Sequence, residues 1–195
     1  MRRLGLLLAL LVVVGTVPAA LADDDHNKVR ARLSGFNEVH FIFRAGPPAS
    51  AALRGAVSTA ARGSFQATIH ETAQLIDYKL TYEGLEADVT QSHIHFGQPR
   101  TVGGIVVWLC QTAGSPAPAA VAAVTPTCPQ EAPARNPVTG TIGPGQVLTV
   151  TGQGIAAGEF NELVRAIRAG ATYANVHSTL FPPGEIRGPI GGDDD

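Results

Sequence analysis

Side chains along a β-strand point alternately to opposite faces, and stretch after stretch of this chain alternates apolar with polar residues at that period. Arg30-Ala31-Arg32-Leu33-Ser34 does so; Phe65, Ala67 and Ile69 alternate with Ser64, Gln66 and Thr68; Ile76, Tyr78, Leu80 and Tyr82 alternate with Asp77, Lys79 and Thr81. Each run predicts a half-buried strand bounded by turn residues. Gly104 to Leu109 is continuously apolar, as expected of a strand covered on both faces, and Val147 to Thr151, Thr172 to Thr179 and Glu185 to Ile190 supply three more strands. Short strands separated by Gly and Pro predict a mostly β chain, folded as an antiparallel β-sandwich or barrel. One segment breaks the period. Phe160, Leu163, Val164 and Ile167 fall at helical spacing, with Glu159 and Glu162 early, Arg165 and Arg168 late and Gly170 as a stop, which predicts one short amphipathic helix at about 158–169. Its apolar stripe is expected on the sheet, in a core with Phe65, Ile76 and Trp108.

The first 22 residues have the form of a leader. Arg2 and Arg3 precede an apolar stretch from Leu4 to Val17, and Ala20-Leu21-Ala22 reads as a small-x-small cleavage signal. The apolar run is broken by Pro18 and falls short of the roughly 20 residues that cross a bilayer, so a signal peptide is expected rather than an anchor. No second run is long enough to span, and the product is expected in a periplasm or outside the cell. Cleavage leaves one domain-sized chain beginning at Asp23. Its 14 Lys and Arg fall to 12 without Arg2 and Arg3, against 16 Asp and Glu, a formal charge of −4. A chain without a basic stripe has nothing to hold a phosphate backbone, which excludes nucleic acid as a partner. Asp23 to Asp25 and Asp193 to Asp195 lack the spaced ligands and turning Gly of a calcium loop, so the segments 23–28 and 191–195 are read as acidic, solvated tails.

Cys110 and Cys128 are the two cysteines, flanking a segment rich in Ala and Pro. In an oxidising compartment an even count with one intervening loop most simply makes one disulfide, with a structural role.

Two segments carry the chemistry. In Ser92-His93-Ile94-His95-Phe96-Gly97, strand alternation puts His93 and His95 on one face; in Ala174-Asn175-Val176-His177 it puts Asn175 with His177. The following Pro183-Gly184-Glu185-Ile186-Arg187-Gly188 would place Glu185 and Arg187 on one face of a third strand. Period alone does not say that these strands are neighbours. The run from Leu33-Ser34-Gly35-Phe36-Asn37-Glu38-Val39 through SHIHFG to YANVHSTLFPPGEIRG resembles the CHRD domain, first described as a repeated module of chordin and present in many secreted bacterial proteins. The resemblance extends over Val29 to Ile190 and includes Val57 to Gly63 and Phe160 to Gly170. It departs where this chain interposes His40 to Ala56, and in a long loop at 112–137. It implies an extracellular β-rich module in which the His-bearing strands are neighbours.

If three imidazoles, a carboxylate and a guanidinium converge, two uses are open. His93, His95 and His177 can form a hydrogen-bonded network with Asn175, Glu185 and Arg187 that fixes the sheet, with no cofactor required. Alternatively, neutral imidazoles delivered by His-x-His and a third His suit zinc or copper, with Asn175, Glu185 and Arg187 as supporting groups. Copper-zinc superoxide dismutases also carry His-x-His on a β-sandwich, but their further ligands have no counterpart here, since His26, His40 and His70 stand alone. No catalytic residue is identified: there is no Gly-rich phosphate loop, G-x-S-x-G, CxxC or N-x-S/T sequon, and Glu83, Glu86 and Asp88 read as a solvated face. Two functions follow: a non-enzymatic module that holds an extracellular protein or surface partner through its sheet faces and the loops at 40–56 and 112–137, or an exported metal-binding or redox protein.

Overall fold

The computed structural model describes residues 27–42 and 53–192. The leader, the Asp runs at both ends and most of the 40–56 insertion lie outside the described residues. In chain order the elements are β1 (Lys28–Ser34), β2 (His40–Ile42), β3 (Leu53–Gly55), β4 (Arg62–His70), β5 (Leu75–Glu83), β6 (Val89–Phe96), β7 (Gly104–Cys110), the one-turn helix α1 (Ala119–Ala122), β8 (Val138–Ile142), the helix α2 (Phe160–Arg168), β9 (Thr172–Ser178) and β10 (Ile186–Pro189). Eight strands make one antiparallel sheet in the order β7-β6-β9-β10-β1-β4-β5-β8, and β2 pairs with β3 apart from it. The two outermost strands of that order draw together. Tyr78 of β5 donates its hydroxyl to the Leu109 carbonyl of β7 at 2.7 Å, and Leu148 N–H, just beyond β8, donates to the Val106 carbonyl at 2.9 Å. The sheet is thus curled into a nearly closed barrel, which leaves little free edge for another chain to pair with.

Alternation decides what lies inside. Val29, Ala31 and Leu33 of β1, Phe65, Ala67 and Ile69 of β4, and Ile76, Tyr78, Leu80 and Tyr82 of β5 are buried in one cluster, while their sequence neighbours face out. Burying a side chain of this size stabilises by roughly 1.5–3 kcal/mol. Helix α2 adds Phe160, Leu163, Val164 and Ile167 to the same cluster, and Gly170, at φ 64°, ends it. Among the described residues no helix is long and apolar enough to cross a membrane.

Four local expectations change. Val147–Thr151 is not a ladder strand: it runs from a single helical turn at Pro144–Gln146 into a turn containing Gly152 and Gly154 at positive φ, and its backbone bonds are turn bonds to Pro144 and Gln153 with isolated ones to Val106, Ile155 and Gly158. The closing strand β8, Val-Thr-Gly-Thr-Ile, was not expected because Gly140 interrupts its alternation. That Gly is required by packing, since a Cβ there would lie 2.6 Å from the Tyr78 hydroxyl oxygen. The loop at 112–137 contains α1, with Gln111 accepting from Ala117 N–H and donating to the carbonyls of Ala122 and Thr125. Trp108 is half-buried and outside the core, because the β6–β7 register shifts twice around His93 and brings Trp108 opposite it.

The Cys110–Cys128 disulfide is present, joining residues 18 apart in sequence at a Cα separation of 5.0 Å. Replacing both cysteines with alanine should lower unfolding free energy by about 3 kcal/mol, through the freed unfolded chain. The barrel should survive because Gln111 also holds the loop. Denaturant melts of the two forms measure this, and equal midpoints would contradict it.

Candidate functional site

β6, β9 and β10 sit side by side near the middle of the sheet, and all seven residues of β9 are buried. Ile94, Ala174, Val176 and Ile186 face the hydrophobic cluster. Their alternates form a second, polar layer on the opposite side. Antiparallel register sets His93 across from Asn175 and Asn175 across from Arg187, while His95 lies across from Tyr173. His177 is one pleat from Asn175 and reaches His93 diagonally. The expected convergence of His93, His95 and His177 is therefore present: each offers a ring nitrogen, and these nitrogens lie within 4.8 Å of one another. They are 0%, 8% and 5% exposed, respectively, so the cluster is closed to bulk solvent.

Aromatic rings wall it in. Trp108 meets His93 edge to face with centroids 4.3 Å apart, and Tyr173 stacks on His95 at 4.8 Å with planes 3° apart. The Arg187 guanidinium carbon lies 3.3 Å from the Tyr173 ring centroid, a cation–π contact.

The hydrogen bonds dictate the tautomers. His177 Nδ1 donates to the Pro182 carbonyl at 2.8 Å, leaving Nε2 as a lone pair, and His95 Nδ1 donates to the Gly103 carbonyl at 2.9 Å, leaving its Nε2 likewise. His93 Nδ1 stands 3.2 Å from His177 Nε2 and must donate to it, which leaves His93 Nε2 unprotonated. Neither His93 Nε2 nor His95 Nε2 has a protein partner, and the same is true of Asn175 Oδ1, Arg187 Nη1 and Glu38 Oε2. A buried polar atom left unpaired costs roughly 1–3 kcal/mol.

Burial also sets the charge state. It is the main cause holding His93 well below the ordinary imidazole value, with the neighbouring His177 and His95 adding to it. Burial lowers His95 to about 4 against the opposing hydrogen bond to Gly103, and His177 to about 4 against that to Pro182. All three rings are neutral at pH 7. Burial raises Glu38, opposed by the Val39 N–H and by Arg187.

A family model described as the CHRD domain matches residues 29–190. The chain belongs to the CHRD domain family. Comparison with curated proteins and with solved structures found no match. CHRD is an extracellular-type domain, and the match covers the span that the SHIHFG and YANVH motifs marked.

One expected arrangement does not form in this CHRD domain. Glu185 and Arg187 do not share a face, because β10 starts at Ile186 and Glu185 precedes it. The Glu185 carboxylate accepts from Ser178 Oγ at 2.5 Å, Thr59 Oγ1 at 2.9 Å and Glu86 N–H at 2.9 Å, on the side away from the histidines. Arg187 is instead set against Tyr173 and feels the charge of Glu38. Gly184, at φ 134°, bends the chain just before Glu185, and a side chain there would strike Glu38 Oε2. Asn175 lies between His93 and Arg187, as its place in the strand requires. Tyr173, Trp108 and Glu38 were missed. Tyr173 was within reach, two residues before Asn175 and so on the same face; Glu38 arrives from a loop that no period marks.

Proposed function

We propose that this CHRD module is exported and non-enzymatic, and that it holds one transition-metal ion, of the zinc or copper class, on His93, His95 and His177. The observation that carries the reading is the buried, unpartnered lone pair of His95 Nε2 in one cluster with the facing ring nitrogens His93 Nδ1 and His177 Nε2. A network built only to fix the sheet would give His95 Nε2 a donor, whereas a cation takes its lone pair directly. The carbonyls of Gly103 and Pro182 support the reading. Each takes the proton of the remaining ring nitrogen and so fixes the ring, as such outer partners do around metal ions. Ligands at about 2.0–2.1 Å from a tetrahedral ion stand roughly 3.3 Å apart. The 3.2 Å between His93 Nδ1 and His177 Nε2 matches this. The ion would replace the proton shared between them, and His93 would then carry its proton on Nε2. Export rests on the Met1–Ala22 leader and the disulfide.

Calorimetric titration of metal-free, untagged protein with zinc and copper should show one ion per chain. His95→Ala should abolish uptake while leaving the barrel folded. Because His95 and His177 are already neutral down to about 4, uptake should persist at pH 5.5, where exposed imidazoles would be protonated. Heat no greater than a buffer blank at pH 7 would overturn the reading.

A further inference from the structure

We propose, resting on the metal reading above, that the ion this site selects is monovalent copper rather than a dication. Two features of the site argue for it. The first is charge. The donors are three neutral nitrogens, and among the described residues no carboxylate or thiolate belongs to the group. The ion's whole charge therefore stays in a solvent-excluded pocket. The cost of burying a charge rises with its square, so a dication is penalised about four times as heavily as a monocation. Arg187 adds to the difference: its guanidinium rests on Tyr173, which stacks on His95, so a fixed positive charge stands one ring away from a ligand.

The second feature is coordination number. Zinc completes a tetrahedron and cupric ion prefers a tetragonal shell, so three protein nitrogens leave either ion to recruit further ligands. The three histidines are closed to bulk solvent, and Trp108 and Tyr173 press on two of them. A cuprous ion has a filled d shell and is satisfied by three donors in a plane.

The test is anaerobic competition on metal-free, untagged protein. Cuprous ion is offered as its coloured bicinchoninate complex, silver(I) serves as a redox-inert monocation, and zinc and cupric ions are titrated against matched chelators. Trp108 is the chain's one tryptophan and touches His93, so its emission reports occupancy of this site. The expected result is one equivalent of cuprous ion withdrawn from the chelator with a change in Trp108 emission, displacement by silver(I), and zinc and cupric binding weaker by about 1000-fold or more. His95→Gln should weaken cuprous binding by about 100-fold or more; the four-ion comparison on the wild type needs no variant to fold. Zinc or cupric ion bound as tightly as cuprous ion would overturn this inference and leave the metal reading standing. No stoichiometric uptake of any of the four would overturn both.

Discussion

Glu185→Ala will be among the most destabilising single changes in the barrel, lowering unfolding free energy by about 3–5 kcal/mol as three donors lose a shared acceptor. The carboxylate is fully buried and accepts three hydrogen bonds, from Ser178, Thr59 and Glu86 N–H. Those donors come from three separate places in the chain, so one side chain fastens the end of β9, the loop before β4 and the loop before β6 to the start of β10. Truncation leaves the Ser178 hydroxyl, itself fully buried, with no acceptor. For a domain of this size the loss corresponds to a fall of roughly 10 °C in melting temperature. Glu185→Gln should recover most of it, because the amide keeps one accepting oxygen and the Ser178 hydroxyl can turn to accept from the amide nitrogen. Metal uptake by either variant, measured well below its melting point, should equal that of the wild type, since Glu185 touches none of the histidines. A melting temperature for Glu185→Ala within about 2 °C of wild type would show that the carboxylate is not the fastening described.

The fold was largely legible because most strands bury one face only. Phe65-x-Ala67-x-Ile69 and Ile76-x-Tyr78-x-Leu80-x-Tyr82 carry their position in their period, and α2 carries its own in the spacing of Phe160, Leu163, Val164 and Ile167. Legibility failed where backbone geometry took over. Val147–Thr151 has a strand's composition but is bounded by turns that spend its hydrogen bonds locally, and β8 hides behind a glycine demanded by a tyrosine ring from the next strand. The histidine triad could be read as a set of like-facing residues, but the neighbouring of β6 and β9 came from family resemblance, since no local rule pairs residues more than 80 apart. Glu185 was misplaced for a related reason. A period of two applies inside a strand, and the positive φ of Gly184 puts the strand's first residue one place later than its apolar pattern suggests. Trp108, set against His93 by a register shift, and Glu38, brought beside Arg187 from a loop, depend on tertiary placement that a single sequence does not display.

Acid should unfold the metal-free protein from the site outward. His95 and His177 are held at about 4 in the folded chain and return to about 6.5 when it unfolds. Between those values the unfolded chain binds protons that the folded chain refuses, so the contribution of each ring is fully present above pH 6.5 and disappears as pH falls to 4. Each ring accounts for up to about 3 kcal/mol over that window. His93, lowered further and in contact with both, makes simultaneous protonation still less favourable. Glu38 acts in the opposite sense: burial raises its value, so its folded form takes up a proton before its unfolded form does, and part of the loss is returned at the acid end. Urea melts with a chelator present should therefore show stability falling by roughly 4–7 kcal/mol from pH 7.5 to pH 4.5, allowing for that return. A His95→Gln, His177→Gln double variant should show a much flatter profile, because neither amide titrates. Bound metal should raise the wild-type profile nearly uniformly down to about pH 4, below which protons and the ion compete for the same lone pairs and the ion's stabilisation is lost. Wild-type and double-variant profiles that run parallel would show that the three rings are not the groups through which acid acts.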